Sequence, residues 1–451
     1  MKLYNTLNRK IEDFKPNDPT EVKVYVCGVT PYSSTHVGHA LSYVVFDVLR
    51  RYLEYSGFNV HHVQNFTDVD DKIILKAQEE GISEDELTER YIQDFFATMD
   101  ALNVLRATKY PRATQEIPDI IETINTLISN GYAYAAGSDV FFRVNESTNY
   151  GELSNRSTDD MISGSRIDID PNKENPIDFA LWKGSKEGEP SWDSPWGPGR
   201  PGWHIECTTM STKYLGEQLD IHGGGMDLVF PHHENEIAQS EAYTSKQPFS
   251  KIWMHNGLLQ FGQDKMSKSI GNLVSVEEAL TKHQPDALRL YLLSSHYRSP
   301  LNYSDEGCEA VSRSLQRLRI ALEPTTASGT DLDASEYRMK FLSHMNNDLD
   351  TPQSIAVMFD LAREINRAKE SGLEVENAQY ELKTMGSILG ITFSAPETKT
   401  LSDVAPFVDL LLEIREDLRE ANQYNLADKI RNSLQDLNIN IEDTSAGPKW
   451  Q

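Results

Sequence analysis

Cysteine is scarce in this chain, and long apolar runs are missing. The three cysteines, Cys27, Cys207 and Cys308, are an odd number with no CxxC pair among 451 residues, which argues against a disulfide framework. The first ten residues, MKLYNTLNRK, lack the apolar core of a secretion signal, and no run approaches the ~18 apolar residues of a membrane span. We therefore expect a cytoplasmic protein with no membrane partner.

Basic residues are also few, with 43 Lys and Arg against 69 Asp and Glu and a net charge of −26. A protein that coats nucleic acid non-specifically carries a basic surface, so this balance argues against that class. Hydrophobic residues make up 39% of the chain, which excludes a wholly disordered or fibrous protein. The length predicts roughly three domains.

The first hundred residues predict a strand, a helix and a second strand. Apolar residues alternate from Val22 to Val26, recur at helical spacing from Val44 to Tyr52, and return in FNVHHVQNF. Strands in this order form a parallel pair with a right-handed crossover. The sequence thus predicts an α/β fold with a Rossmann-like, doubly wound parallel sheet. Further along, Ser83 and Glu86 predict a capping box, and Thr351 before Pro352 predicts another helix start.

The rest of the chain predicts an insertion and a helical tail. We expect two halves of the sheet domain at 1–106 and 201–310, separated by a connective insertion at 107–200. Its end, EGEPSWDSPWGPGRPGW, is too rich in proline and glycine for regular structure over most of its length. Beyond it, DIHGGG predicts a strand running into a glycine turn, and WMHNGLLQF predicts a further strand. Helical periodicity then predicts a bundle at 311–395 and a small terminal unit at 396–451.

Residues 36–39, HVGH, lie where the first strand and loop give way to a helix. Helix N-termini attract phosphate, two imidazoles can add hydrogen bonds to its oxygens, and Gly38 leaves room for a flat base. On these residues alone, His36 and His39 are equally well explained as surface histidines at a helix start.

Residues 265–269, KMSKS, follow a late strand. Lys265 and Lys268 flank small hydroxyl residues, which suits a loop that grips a triphosphate, although an ordinary charged loop has the same composition. Gly223 and Gly225 in DIHGGGMD allow close approach of a ligand, and Asp227 can bind ribose hydroxyls. HVGH and KMSKS in this order resemble the paired signature of class I aminoacyl-tRNA synthetases.

Two cysteines, a histidine and a glutamate predict a metal site. Cys27 ends the first strand, Cys207 closes WHIEC, and His232 and Glu236 are four residues apart on a helix, so their side chains point the same way. Thiolate, imidazole and carboxylate are all zinc ligands. Taken singly, each cysteine is more commonly a buried apolar residue, and a histidine–glutamate pair is commonly a helix surface pair.

Several segments together resemble the cysteinyl-tRNA synthetase family. They are CGVTPYSSTHVGHALSYVVFDVLRRYLEYSGF, VQNFTDVDDKII, ALWKGSKEGEPSWDSPWGPGRPGWHIEC, DIHGGGMDLVFPHHENEIAQSEA and KMSKSIGN. The resemblance covers essentially the whole chain, to the end IRNSLQDLNINIEDTSAGPKW. Two departures are Val37, one methylene shorter than the usual isoleucine, and Pro31, where valine is frequent.

The resemblance implies a reaction and a set of site residues. The reaction is ATP-dependent ligation of L-cysteine to tRNA(Cys) through an adenylate, with ATP as its Mg²⁺ complex, one zinc ion per chain and a monomeric enzyme. Zinc would be held by Cys27, Cys207, His232 and Glu236; ATP by His36, Gly38, His39, Gly223, Gly225, Asp227 and Lys268; and the substrate cysteine by Gly28, Thr30, Thr67 and Trp203. His36, His39, Lys265 and Lys268 would be catalytic, and Arg419, Asp428, Asp443 and Trp450 would contact the anticodon.

Two other functions remain open on the sequence. One is the related ligase of mycothiol biosynthesis, which joins cysteine to an amino sugar and shares the CGVTPY-like loop. NEIAQSEA and the complete terminal unit favour a tRNA acceptor. The other is a zinc-dependent nucleotide-binding regulator, which intact HVGH and KMSKS disfavour. We expect Cys308, in the helical surface context GCEA, to be dispensable.

Overall fold

The computed structural model describes residues 1–157, 171–261, 264–265, 274–325, 329–394, 401–436, 439, 441–444 and 447–450. The chain divides into two compact units, Met1–Phe393 and Ser394–Gln451. No helix in these described ranges is both long and apolar enough to cross a membrane.

The first unit is built on a four-stranded parallel sheet. Its strands are β3 (Glu21–Val26), β4 (Asn59–Gln64), β9 (Leu219–Gly225) and β10 (Ser250–Asn256). Across the sheet they lie in the order β10-β9-β3-β4. β3 pairs with both β4 and β9, so the two halves of the predicted sheet domain meet side by side in one sheet. An α/β fold with a doubly wound parallel sheet is confirmed.

Helices connect and flank these strands because their apolar faces must be buried against the sheet. They are α1 (Val37–Tyr55), α2 (Asp71–Glu80), α3 (Glu84–Ala101), α4 (Ile117–Ser129), α5 (Trp203–Leu215) and α6 (Glu234–Thr244). α1 packs Val44, Phe46 and Val48 into the largest hydrophobic core. The predicted capping box at α3 is present, since the Ser83 hydroxyl accepts from the Glu86 N–H at 3.2 Å.

The segment between the halves contains its own antiparallel sheet, of order β5-β6-β7-β8. Its strands are β5 (Ala133–Ala136), β6 (Asp139–Phe142), β7 (Phe179–Gly184) and β8 (Gly199–Pro201). Within the proline-rich stretch before α5, the described residues form one strand, β8. The core beside this antiparallel sheet, in which Trp182 and Phe142 are fully buried, is separate from the main core.

Short strands complete the first unit: β1 (Lys2–Asn5), β2 (Lys10–Asp13), β11 (Leu259–Phe261), β12 (Asp264–Lys265) and β13 (Leu301–Asn302). The prediction of one strand over WMHNGLLQF is wrong, because β10 ends at Asn256 and β11 begins at Leu259. A Cβ at Gly257 would lie 2.3 Å from the carbonyl oxygen of Ser299, so only glycine fits at this position between the two strands.

Beyond the sheets the chain is helical. The helices are α7 (Val276–Lys282), α8 (Pro285–Leu292), α9 (Asp305–Leu322), α10 (Ser335–Met345), α11 (Thr351–Glu370) and α12 (Glu376–Ile388). The cap predicted at Thr351 is wrong by one residue, since the carboxylate of Asp350 accepts from the Gln353 N–H at 3.3 Å. Cys308 was expected on a helix surface but is fully buried in the main core, because it lies on the inner face of α9.

The second unit is small. It contains α13 (Leu401–Glu420), α14 (Tyr424–Asp436) and an antiparallel hairpin of β14 (Ile441–Thr444) and β15 (Gly447–Trp450). Val408, Leu412, Leu434 and Ile441 form its core.

Candidate active site

The carboxyl ends of the central strands bring several of the predicted residues together. Val26 at the end of β3 pairs with Gln64 of β4 and Gly223 of β9. Cys27 and Asn65 therefore emerge at one edge of the sheet, beside the glycines of β9. This edge, where the strand connections reverse, is the usual binding position in open α/β sheets.

The four predicted metal ligands converge here, all buried, with their ligand atoms within 4.8 Å of one another. The two free thiols, Cys27 Sγ and Cys207 Sγ, lie 3.9 Å apart. Glu236 Oε1 lies 3.3 Å from Cys27 Sγ and 2.9 Å from His232 Nε2. Two sulfurs, one imidazole nitrogen and one carboxylate oxygen are a donor set that fits zinc.

The electrostatics of this cluster suit a bound cation. Burial alone raises the pKa of the Cys207 thiol, but the hydrogen bond from Cys27 lowers that pKa to about 6. Burial lowers the pKa of His232, yet the neighbouring Glu236 carboxylate and Cys207 raise it to about 10. Burial likewise opposes ionisation of Glu236, but the charges of His222 and His232 hold its pKa well below the usual range. Metal binding requires deprotonated thiols and carboxylate together with a neutral imidazole, and a metal would replace the protons that these groups share.

A layer of histidines surrounds the cluster, and the sequence reasoning missed it. His222 Nε2 lies 2.8 Å from Glu236 Oε2, so one carboxylate oxygen is held by His222 while Oε1 faces the Cys27 thiol. His204 Nδ1 lies 2.9 Å from His232 Nδ1, and His233 Nδ1 lies 2.7 Å from His255 Nε2. Such contacts orient metal ligands. The sequence did hold a clue to this layer, because His222, His204 and His233 lie in the same segments as the predicted ligands.

His222 and His233 also form an overlapping candidate set with Cys27 and Glu236. His233 Nε2 is 3.3 Å from Cys27 Sγ. This second set and the set predicted from the sequence share Cys27 and Glu236 and differ in their other two residues.

Of the four predicted substrate-cysteine residues, Trp203 and Gly28 lie directly beside the cluster. The Trp203 ring stacks on His232 with centroids 4.3 Å apart and is 39% exposed, so it stands between the cluster and solvent. Gly28 directly follows Cys27, and its N–H donates to the Asn65 Oδ1 at 2.9 Å. Thr67 is buried, with its N–H donating to the carbonyl of Val29, and Thr30 is half-buried.

HVGH forms the amino end of α1, as predicted. His36 caps the helix by accepting from the His39 N–H at 3.2 Å, and the two rings stack at 3.6 Å. Residues that come just after KMSKSIGN in the sequence hold the backbone of HVGH in place. Val37 N–H donates to the carbonyl of Val274, and His36 forms a β-bridge with Ser275. The segment that follows KMSKSIGN in the sequence therefore lies beside HVGH.

The glycines of DIHGGGMD lie inside β9 rather than in a turn, which corrects the prediction. A Cβ at Gly223 would lie 2.2 Å from the Phe46 ring, and one at Gly224 would lie 2.9 Å from His233. Glycine is required here for packing against α1 and the histidine layer. Gly225 ends the strand and Asp227 is exposed just beyond it.

The remaining predicted residues are only partly described. The backbone of Lys265 belongs to β12, and Lys268 lies outside the described residues. In the second unit, Arg419 and Asp428 are exposed, and the indole N–H of Trp450 donates to Asp409 at 2.8 Å. The side chain of Asp443 lies outside the described part.

Comparison with known proteins identifies the family of this chain. A family model described as the class I (C) tRNA synthetase catalytic domain matches residues 13–313, and a DALR domain model matches residues 340–394. A cysteine–tRNA ligase of Dehalococcoides mccartyi is 53% identical over 454 residues, covering 100% of this chain and 99% of the relative. One of Moorella thermoacetica is 46% identical over 475 residues, with complete coverage of both.

The fold is also that of solved synthetases. Methionyl-tRNA synthetase of Mycobacterium tuberculosis, in complex with methionyl-adenylate, aligns with a TM-score of 0.60 at 16% identity, covering 87% of this chain and 94% of that one. The resemblance drawn from the sequence is confirmed. The chain belongs to the cysteine–tRNA ligase family of class I aminoacyl-tRNA synthetases.

Proposed function

We propose that this chain ligates L-cysteine to tRNA(Cys) in two steps through a cysteinyl-adenylate, using ATP with Mg²⁺ and one bound zinc ion. The observation that carries the proposal is the convergence of Cys27, Cys207, His232 and Glu236 at the sheet edge where HVGH begins α1. Full-length identity to cysteine–tRNA ligases supports the same reaction.

In the first step, a carboxylate oxygen of cysteine attacks the α-phosphorus of ATP, and the bond to pyrophosphate breaks. The carboxylate is already ionised at neutral pH, so no general base is needed, and the enzyme contributes positioning and charge stabilisation. His36 and His39 lie at the positive end of α1, where they contact phosphate oxygens in this proposal. Lys265 and Lys268 add charge as pyrophosphate departs, and Gly223, Gly225 and Asp227 hold the nucleoside.

The four buried ligands account for amino-acid selection. Zinc held by Cys27, Cys207, His232 and Glu236 would supply a borderline-soft Lewis acid that prefers a substrate thiolate to the hydroxyl of serine. Trp203, stacked on His232 at the solvent side, closes this subsite. Gly28, Thr30 and Thr67 line it from the two neighbouring loops.

In the second step, a terminal ribose hydroxyl of tRNA attacks the activated carbonyl, and AMP leaves. The second unit reads the anticodon, with Arg419, Asp428, Asp443 and Trp450 as proposed contacts. Acidic residues suit this task because carboxylates accept hydrogen bonds from base amino groups. RNA loops are read through such contacts to splayed bases.

Cysteine-dependent exchange of labelled pyrophosphate into ATP tests the first step, with serine as the matched control substrate. We expect exchange with cysteine at least ~10²-fold faster than with serine, beyond what apolar packing alone achieves between near-isosteres. Equal exchange with both amino acids, or none with either, would contradict the proposal.

Adding an acceptor tests the second step. Transcribed tRNA(Cys) should be charged, and the amino-sugar acceptor of the mycothiol ligase should give no cysteinyl product. Formation of the cysteinyl amino sugar without charging of tRNA would instead identify the small-acceptor ligase.

A further inference from the structure

A buried amide side chain joins the two loops that line the substrate-cysteine subsite. Asn65, 1% exposed, directly follows β4. Its Oδ1 accepts from the N–H of Gly28 at 2.9 Å, in the loop after β3. Its Nδ2 donates to Thr67 Oγ1 at 3.2 Å, in the loop after β4. Both partners belong to the proposed substrate subsite.

The orientation of this amide follows from its partners. A backbone N–H can only donate, so the atom that faces Gly28 must be the oxygen, and the NH₂ group must face Thr67. The Thr67 oxygen therefore accepts from Asn65, and its single proton points to a different acceptor. The side chain of Asn65 thus sets the direction in which the Thr67 hydroxyl donates.

The backbones of the two loops also touch at this point. A Cβ on Gly28 would lie 1.5 Å from the carbonyl oxygen of Asn65, so only glycine allows the approach. A third contact, from the Thr67 N–H to the Val29 carbonyl at 3.2 Å, closes the junction. Cys27, one residue before this junction, carries one of the four buried ligand atoms.

We propose that Asn65 is a positioning residue for the amino-acid subsite, where it fixes the Gly28 backbone and the Thr67 hydroxyl in one arrangement. In this proposal Asn65 does not contact the substrate itself and acts through Gly28 and Thr67. The inference rests on the proposed cysteine–tRNA ligase activity and adds a determinant of cysteine affinity. It predicts an effect on cysteine binding and none on ATP binding.

Asn65→Asp tests this because it preserves the shape and the acceptor to Gly28 but removes the donor to Thr67. In cysteine-dependent pyrophosphate exchange, we expect the KM for cysteine to rise about tenfold or more, since a buried donor is lost and a charge is added. The KM for ATP should stay within about twofold. Asn59→Asp is the matched control, because Asn59 is the exposed first residue of the same strand, and it should leave both constants unchanged.

Variants of Thr67 separate positioning from a general loss of structure. Thr67→Val, which removes the hydroxyl, should raise the KM for cysteine as Asn65→Asp does, and Thr67→Ser should restore it. The KM for cysteine of the double variant Asn65→Asp, Thr67→Val should be no higher than that of the more impaired single variant, since both changes break the same Asn65–Thr67 hydrogen bond. If Asn65→Asp does not fold, Asn65→Ser replaces it, because a serine hydroxyl is too short to reach both partners.

Unchanged KM for cysteine in the Asn65 variants, or fully additive effects with Thr67→Val, would overturn the inference. Wild-type exchange is measured in the same experiment. Exchange by the wild type with an unaffected Asn65 variant refutes only the positioning role. Absence of cysteine-dependent exchange in the wild type refutes the proposed function itself.

Discussion

Asp47 and Arg289 form an ion pair in which each side chain is only 1% exposed. Asp47 lies on α1, the helix that begins at HVGH, and Arg289 lies on α8. The guanidinium also donates to the carbonyl oxygens of Leu389 at 2.7 Å and Leu102 at 2.9 Å. One buried side chain of α8 thus ties α1 to the ends of α3 and α12.

We expect Arg289→Met to lower the free energy of unfolding by about 3 kcal/mol, because the buried Asp47 carboxylate then keeps only Arg51, at 2.7 Å, as a charged partner. Urea unfolding followed by circular dichroism measures this. The control is Arg363→Met, whose ion pair with Asp360 at 3.2 Å is exposed and should contribute at most ~1 kcal/mol. Equal effects of the two variants would show that burial of the Asp47 pair contributes nothing.

The sequence predicted what depends on local pattern and short-range chemistry. The strands around α1, the Ser83 cap and the shared face of His232 and Glu236 all lie in segments whose spacing determines which way side chains point. It did not predict the Asp47–Arg289 pair, because the partners are 242 residues apart and each alone is an ordinary helix charge.

Packing explains the other differences. The glycines of β9 looked like a turn, but the Phe46 ring fills the place of a side chain at Gly223. Cys308 looked exposed because its neighbours in sequence are polar, yet it faces the core. The β14–β15 hairpin was missed because its short strands carry no long apolar alternation. Histidines around Glu236 were missed because several strands and helices contribute them.

His62 is expected to make stability pH-dependent. Burial, with the nearby Arg50 charge, lowers the pKa of His62 to about 3, whereas an unfolded histidine has a pKa of about 6.5. Above pH ~6.5 both states are neutral at this residue. As the pH falls toward 3, the unfolded state binds the proton first, so stability is lost at up to ~1.4 kcal/mol per pH unit.

Urea unfolding at pH 7 and pH 5 measures this loss. Wild type should lose roughly 2 kcal/mol more than His62→Gln over that interval. The control is His61→Gln, on the same strand but 39% exposed, which should keep the wild-type pH dependence. An identical slope for wild type and His62→Gln would exclude a neutral buried His62.

Cys207→Ser should reduce bound zinc from about one to less than half an equivalent per chain, since it removes one of the two thiols of the candidate metal cluster. Metal analysis of the purified protein measures this, and chelators should inactivate wild type. The cysteine KM should rise more than the ATP KM.

Cys308→Ser is the matched control for the zinc measurement. Cys308 is fully buried beside Tyr303, in a different hydrophobic cluster from Cys27 and Cys207, and burial raises the pKa of its thiol to about 12. This variant should keep its zinc and lose only stability, as expected when a polar group replaces a buried apolar one. Equal zinc loss in both variants would contradict the assignment of Cys207 as a ligand.

Removal of residues 396–451 should separate the two steps of the reaction. This deletion removes nearly all of the second unit, which begins at Ser394 and has its own core of Val408, Leu412, Leu434 and Ile441. The metal cluster and HVGH belong to the first unit, so cysteine-dependent pyrophosphate exchange should stay within about twofold of wild type. Charging of tRNA(Cys) should fall by about 10²-fold or more, because each lost base contact contributes ~1–3 kcal/mol.

Asp428→Asn is the point variant for the same test, since it removes an exposed carboxylate and retains the fold. It should lower charging of tRNA(Cys) without affecting pyrophosphate exchange. A truncated enzyme that charges tRNA at the full-length rate would show that the second unit does not read the anticodon.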